Sequence, residues 1–174
     1  MLQPYFELTV PVFIRNLKQL TLILDKSLLF SNDTNLAETD LLNQKLADDM
    51  FPLLRQIQII TDNAKGASAR LAGVTPPTMT DTETTVAELQ TRIDTVVTYL
   101  GTLTPEQFID AGTRQITLPY YPDTYILGSD YLAEFALANF FFHMNVAYAI
   151  LRHGGVPLGK ADYIGSLSMH PHAG

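Results

Sequence analysis

The 174-residue sequence contains no cysteine, which excludes a disulfide scaffold, a thiol nucleophile and a cysteine zinc site. Charged residues make up only 17% of the chain, against about 25% in an average domain. The 18 acidic and 11 basic residues give a net charge of −7, and no basic face for nucleic acid is visible. The apolar share of 47% predicts a globular protein, which we interpret as one helical-bundle domain over residues 1–174.

Long apolar runs are also missing. The longest uncharged one, 135–151, has 17 residues and is interrupted by Asn139, His143 and Asn145. This is short for a membrane span, so we interpret it as a deeply buried helix of a soluble protein. The N-terminus lacks the basic region of a signal peptide. We therefore expect a cytoplasmic protein with no membrane partner.

Four segments carry apolar residues at helical spacing, namely 10–30, 48–71, 84–103 and 129–153. Thr85 and Glu88 form a predicted capping box at the start of the third segment, and Gly73 ends the second. Between the third and fourth segments, residues 115–127 alternate around a turn, which predicts a small β-hairpin or a lid. The fold class is therefore all-α, a four-helix bundle with that hairpin or lid between helices three and four.

The fourth predicted helix carries Asn139 and His143 one turn apart on the same face. In an otherwise apolar helix both side chains need hydrogen-bond partners. They are either a satisfied polar pair that locks helix packing or part of a ligand or metal site.

The second predicted helix carries polar residues at every seventh position, Asp49, Gln56 and Asn63. They lie beside its apolar stripe, so they either face a cavity or form a solvated flank. Tyr120 belongs to a cluster of four tyrosines in 12 residues. That cluster fits an aromatic wall at a pocket mouth, a hairpin packed on the bundle, or an interface.

The run of three phenylalanines at 140–142 covers most of a helix circumference. A helix that is apolar all round is buried all round, so we expect Phe142 in the core. A four-helix monomer cannot cover such a helix fully. The hairpin and tail, or a second subunit, must do so, and we predict a homodimer.

Several catalytic signatures are absent from the sequence. There is no phosphate-binding glycine loop, dinucleotide fingerprint, HExxH motif or EF-hand loop, and no serine stands in a nucleophile elbow. The Glu-x-x-His pair of di-iron bundles is missing too.

The sequence resembles the DinB/YfiT-like superfamily, and within it a bacterial and fungal subfamily of unknown function. The resemblance rests on five stretches taken in order: VPVFIR at 10–15, DMFPL at 49–53 followed by Gln56, LAG at 71–73, HMNVAYAILRHGGVP at 143–157, and GKADY at 159–163. It implies a four-helix bundle that is often dimeric.

The same resemblance implies that many relatives bind a divalent metal through three histidines. One histidine is on the second helix and two are on the last long helix as His-x-x-x-His. His143 matches the second of that pair, but Asn139 occupies the first position, and Asp48 or Asp49 lies near the third. Relatives include metal-dependent thiol transferases, isomerases and hydrolases of small molecules.

We therefore predict a DinB-like bundle with a small-molecule pocket formed by Asp49, Gln56, Asn139, His143 and Tyr120. Its metal site is degenerate, and we expect no cofactor and no tightly bound metal, because two good ligands are too few for zinc. Weak binding of a divalent metal stays open. The alternative is a metal-dependent transferase or hydrolase of the DinB/YfiT type, and whether the protein is an enzyme also stays open.

Overall fold

The computed structural model describes residues 4–172, and most of them lie in helices. The four long helices are α2 (Val10–Thr34), α4 (Leu53–Ala72), α5 (Val86–Leu100) and a last long helix, Gly128–His153. The short helices are α1 (Pro4–Glu7), α3 (Glu38–Asn43) and α8 (Lys160–Ile164). These elements confirm the predicted all-α bundle.

The long helices pack in a crossed order. α4 packs against both α5 and the last long helix, while α2 packs mainly against α5. Each helix contributes its periodic apolar stripe to a common core that includes Leu17, Ile57, Ile93 and Ile150. The long connections after α2 and α5 make this order geometrically accessible.

The start of α4 differs from the prediction. The helix begins at Leu53, after Pro52 in an extended conformation, and the Leu53 amide bonds to the carbonyl of Gln44. Residues 46–50 form bends and turns, and 46–49 are exposed. Asp49 therefore lies outside the helix in a solvent-exposed turn. Pro52 stands in an extended conformation directly before the first helical residue, so the helix does not continue back to residue 48.

The predicted capping box and hairpin are both present. Thr85 Oγ1 accepts from the Glu88 amide at 3.2 Å, and Glu88 Oε2 accepts from the Thr85 amide at 3.1 Å. Antiparallel strands β1 (Gln115–Ile116) and β2 (Ile126–Leu127) form a hairpin of two residue pairs. Gly128 follows directly, and a Cβ there would lie 1.8 Å from the carbonyl oxygen of Ala111.

The last long helix changes pitch along its length. After α6 (Gly128–Asp130), residues Tyr131–Ala136 form a π-helical segment, and α7 (Leu137–His153) completes it. A π segment breaks the 3.6-residue period of the helix. The 3.6-residue spacing of α7 therefore does not carry over to this segment.

The expectation that this helix is buried on all sides was wrong. Phe140 is fully buried against Phe13, but Phe142 is 53% exposed and is not in the core. Among residues 4–172, Gly128–His153 is the one helix long and apolar enough to cross a membrane, and 39% of its most apolar window is buried. Core helices of soluble proteins meet the same criterion, so this is weak evidence for a membrane span.

A buried guanidinium joins α5 to α4 and to the connection between them. Arg92 Nε donates to Thr61 Oγ1 at 2.7 Å, and its Nη2 lies 2.9 Å from Asp62 Oδ1 and 3.0 Å from Asp81 Oδ1. Its Nη1 donates to Glu83 Oε1 at 2.9 Å. A buried charge is costly unless it is paired, and here three carboxylates surround it.

These contacts lower the pKa values of Glu83 and Asp81. Burial alone would raise the pKa of Glu83, but hydrogen bonds from Arg92 and Gln58 hold it below its ordinary value of 4.5. Burial also opposes ionisation of Asp81, yet Arg55 and Arg92 lower its pKa below 3.8. Both acids therefore ionise more readily in the folded chain than in the unfolded chain.

Replacing Arg92 by Met should lower the free energy of unfolding at pH 7 by about 3 kcal/mol. This is the lower end of the range for a broken buried ion pair, because Asp62 and Asp81 stay partly hydrated. Folded-state pKa values below the unfolded ones mean that the contribution is complete above roughly pH 5 and is lost as pH falls. Urea unfolding of both proteins between pH 7 and pH 2.5 should show the difference shrinking. Arg152→Met, at an exposed position, is the control, and an equal loss there would contradict the cluster's role.

Candidate functional site

His143 and Gln56 join the last long helix to α4. His143 Nδ1 lies 2.6 Å from Gln56 Oε1, and Gln56 Nε2 donates to the carbonyl oxygen of Phe51 at 2.9 Å. A carbonyl can only accept, so the amide nitrogen of Gln56 must face Phe51 and its oxygen must face the ring. His143 Nδ1 therefore carries the proton, which leaves Nε2 unprotonated in the neutral ring.

The surroundings of His143 favour the neutral form. Burial lowers the pKa of His143 below its ordinary 6.5, and the positive charge of Arg55 lowers it further. At neutral pH the ring is therefore uncharged, with Nε2 as an acceptor or base. Gln56 fixes this tautomer from α4.

A pocket of about 200 Å³ lies beside this pair, between α4 and the last long helix, and we call it the α4–α7 pocket. Its lining comes from α4, from the last long helix and from the loop between the strands. The lining residues are Arg55, Ile59, Asp62, Asn63, Arg70, Tyr120, Tyr131, Phe135 and Asn139.

The structure brings together some of the predicted site residues and not others. Asn139 and Tyr120 line the pocket, whereas Gln56 and His143 form their hydrogen bond without lining it. Asp49 lies in the exposed turn before α4 and is not among the lining residues. A start of α4 at residue 48 would have placed Asp49 two turns before Gln56, and the break at Pro52 removes that alignment.

Asn63 is the most unusual residue of the pocket. Its side chain lies seven residues after Gln56 and only 8% of the residue is exposed. Neither Nδ2 nor Oδ1 has a hydrogen-bond partner among residues 4–172. Buried amides are nearly always hydrogen-bonded, so a bound molecule would supply the hydrogen bonds that the Asn63 side chain lacks within these residues.

Arg70 and Tyr131 form the polar end of the pocket, and sequence reasoning missed Arg70. Its Nη1 donates to Tyr131 Oη at 3.3 Å. Burial raises the pKa of Tyr131 although Arg70 opposes the shift, so the phenol stays protonated. The sequence held one signal: Gly66 interrupts α4 one turn before Arg70, and helix interiors disfavour glycine.

A larger groove, of about 420 Å³, lies beside Arg92 and is lined mainly by threonines. Its charged groups are already bound within the fold. Glu83 pairs with Arg92, and Glu88 caps α5 by accepting from Thr84 and Thr85. The α4–α7 pocket, with the unpartnered Asn63, is therefore the better candidate for ligand binding.

The residues at the implied metal site do not fit the metal. Within residues 4–172, no group of three histidine, cysteine, aspartate or glutamate side chains could hold a metal ion. Of the implied ligands only His143 could bind well, through Nε2, because Asn139 offers only a neutral amide and Asp49 is on an exposed turn. We therefore derive no chemical step through a metal.

Comparison with known proteins gives a family match and matches to solved structures. Residues 5–164 match the family described as "Domain of unknown function (DUF1993)". Three solved chains match, among them the crystal structure of a DinB family member protein from Shewanella denitrificans. That protein is 42% identical, with 96% of this chain and 95% of that chain covered and a TM-score of 0.93. No curated protein matches. The structural match confirms the predicted resemblance and fold.

The tautomer of His143 can be tested by long-range ¹H–¹⁵N NMR. We expect a proton on Nδ1 and a pKa below 6.5. Gln56→Glu should raise that pKa, because a carboxylate opposite Nδ1 favours the imidazolium. Gln56→Leu removes the acceptor and should release the ring to the other tautomer. Signals of the exposed His153 serve as the internal reference, and an Nε2–H tautomer in the unaltered protein would contradict the assignment.

Proposed function

The chain belongs to the DUF1993 family of DinB-like proteins, and from this premise we propose that it binds a small polar molecule in the α4–α7 pocket without a tightly held metal. The supporting observation is Asn63, a buried amide whose oxygen and nitrogen have no partner among residues 4–172. An unmet buried amide costs about 1–3 kcal/mol, and a complementary ligand would recover that free energy.

The lining supports a ligand of modest size. Tyr120, Tyr131 and Phe135 supply aromatic surface, while Asn63 and Asn139 supply amide groups. Sites for small molecules typically combine an apolar lining with a few convergent polar groups. A volume of about 200 Å³ is below the usual 300–1,000 Å³ of drug-sized sites, so the ligand is small.

The metal site of this chain is, in our proposal, degenerate. Zinc sites of catalytic type use three protein ligands, and imidazole and thiolate are the preferred ones. The sequence has no histidine before His143, so α4 contributes none. Asparagine at position 139 contributes a neutral amide oxygen, which binds zinc or nickel poorly.

A second candidate is a metal-dependent transferase or hydrolase of the DinB/YfiT type. One observation favours it: His143 donates Nδ1–H to the amide oxygen of Gln56. Metal-bound histidines typically donate the other ring N–H to a carbonyl or carboxylate in this way. A weakly held divalent metal at Nε2 would use that arrangement.

One pair of measurements separates the two candidates. Elemental analysis of the purified protein should find no stoichiometric zinc or nickel, and His143→Ala should not change the metal content. A thermal-shift screen of small metabolites, run in chelator, should find ligands that raise Tm. Asn63→Ala should weaken such a ligand about tenfold, as for loss of a buried hydrogen bond.

Asn145→Ala is the matched control, because Asn145 is exposed on α7. Stabilisation by a ligand that is unaffected by Asn63→Ala, or no stabilisation by any compound, would contradict the proposed pocket. One transition metal per chain that is lost in His143→Ala would establish the second candidate instead.

We also propose that two copies of the chain form a homodimer. Phe135 and Phe142 are 37% and 53% exposed on the last long helix, and Phe51 before α4 is exposed as well. Burying such side chains in an isologous interface would remove apolar surface from water.

Sedimentation equilibrium should give twice the chain mass of 19.3 kDa. Phe142→Glu should shift the protein toward monomer, since a charge at the interface would lose its hydration. Leu22→Glu, at an exposed position of α2, is the control. A 19.3 kDa species at micromolar concentration in the unaltered protein would contradict the dimer.

A further inference from the structure

We propose that the α4–α7 pocket recognises a small carboxylate joined to a flat apolar body, with Arg70 binding the carboxylate. This inference rests on the proposed function, because it names the ligand class of the same pocket. It follows from the charges of the lining, from its neutral hydrogen-bond donors and from its aromatic side chains.

Within residues 4–172, Arg70 is the cation of the pocket that no carboxylate neutralises. Among residues 4–172, no acidic side chain lies within 4.0 Å of its guanidinium, which forms one long hydrogen bond, to Tyr131. A guanidinium has five N–H donors in a planar fork that matches a carboxylate. Most of those donors therefore remain available to a ligand.

The other charges of the lining are compensated within the protein. Arg55 pairs with Asp81 and also donates to Gln58. Asp62, the one acidic residue of the lining, lies 3.0 Å from Lys65 Nζ and 2.9 Å from Arg92 Nη2. An entering anion thus meets one uncompensated positive charge, although the chain as a whole carries −7.

Two further donors line the pocket together with Arg70. The phenol oxygen of Tyr131 accepts from Arg70, so its own proton is left to donate to a ligand oxygen. The amide of Asn63, buried and unpartnered within residues 4–172, supplies a second neutral donor. A carboxylate accepts through two oxygens with about four lone-pair directions, which these groups can fill together.

The remaining lining selects a flat apolar body. Tyr131 and Phe135 stack at a centroid distance of 5.8 Å and an interplanar angle of 24°, and Tyr120 and Ile59 add apolar surface. Aromatic side chains favour offset stacking on another ring. The volume of about 200 Å³ suits a single ring that carries a carboxylate.

Gly66 supports the position of Arg70. A Cβ at residue 66 would lie 2.8 Å from Arg70 Nη1 and 3.6 Å from its Cζ. The guanidinium therefore lies across the bare backbone of α4, and an alanine there would force it to move. This contact accounts for glycine in the interior of a helix that would otherwise favour alanine.

Benzoate and its neutral isostere benzamide test the proposal as probes on the full chain. Binding measured by ¹H–¹⁵N NMR titration should favour benzoate by at least tenfold. Arg70→Met should remove this preference, and Arg70→Lys should restore only part of it, because an ammonium lacks the planar fork. Gly66→Ala should weaken benzoate severalfold while the Tm is retained. Arg152→Met, exposed on α7, is the matched control and should bind like the unaltered protein.

The outcomes distinguish the two levels of the proposal. Equal binding of both probes, with sensitivity to Asn63→Ala, would overturn the carboxylate preference and support the pocket itself. A benzoate preference that persists in Arg70→Met would place the anion elsewhere and overturn the assignment to Arg70. No binding of benzoate at 10 mM would overturn the carboxylate proposal. The pocket itself would be overturned by a different result, namely that the thermal-shift screen finds no ligand whose binding depends on Asn63.

Discussion

The buried guanidinium of Arg92 is the interaction on which both the bundle and the pocket depend. It joins α5 to Thr61 and Asp62 of α4, and it binds Asp81 and Glu83 of the connection. Its effects reach the pocket by two routes. Arg92 neutralises Asp62, which lines the pocket. It also holds Asp81 where Asp81 pairs with Arg55, and the charge of Arg55 lowers the pKa of His143. The buried charge thus affects the positions of polar groups on other helices, because each of its three carboxylates also binds a residue of α4, namely Lys65, Arg55 or Gln58.

The contact between α4 and the last long helix separates two kinds of polar residue. Gln56 and His143 satisfy each other, with the Phe51 carbonyl completing the chain of hydrogen bonds, and they hold the helices in register. Asn63 lies two turns farther along α4 and remains without a partner among residues 4–172. The π-helical segment Tyr131–Ala136 faces this part of α4 and brings the Tyr131 hydroxyl to Arg70. A hydrogen-bonded glutamine and an amide without a partner among residues 4–172 therefore lie two turns apart on one helix.

Much of the fold could be predicted from local patterns, and the pocket only in part. The capping residues Thr85 and Glu88 and the hairpin after α5 follow from signals within a few residues, and both are present. Residue type points to Asn139 and Tyr120, which line the pocket, and to Gln56 and His143, which bond to each other outside its lining. Asp49 was misplaced, because helical spacing was continued across Pro52. Phe142 was misplaced because three adjacent phenylalanines do not reveal which of them faces the neighbouring helices.

The sequence by itself determined most of the helices, the absence of cysteine chemistry and the absence of histidine from α4, since each depends on residue identity or on contacts within one or two turns. Only the tertiary structure decided which polar groups are compensated. Arg55, Arg70 and Arg92 are the same residue type in the sequence. In the structure Arg55 and Arg92 bind carboxylates from other segments, whereas Arg70 binds none among residues 4–172. Charge pairing over 20 or more residues depends on how helices pack, and no local pattern encodes it.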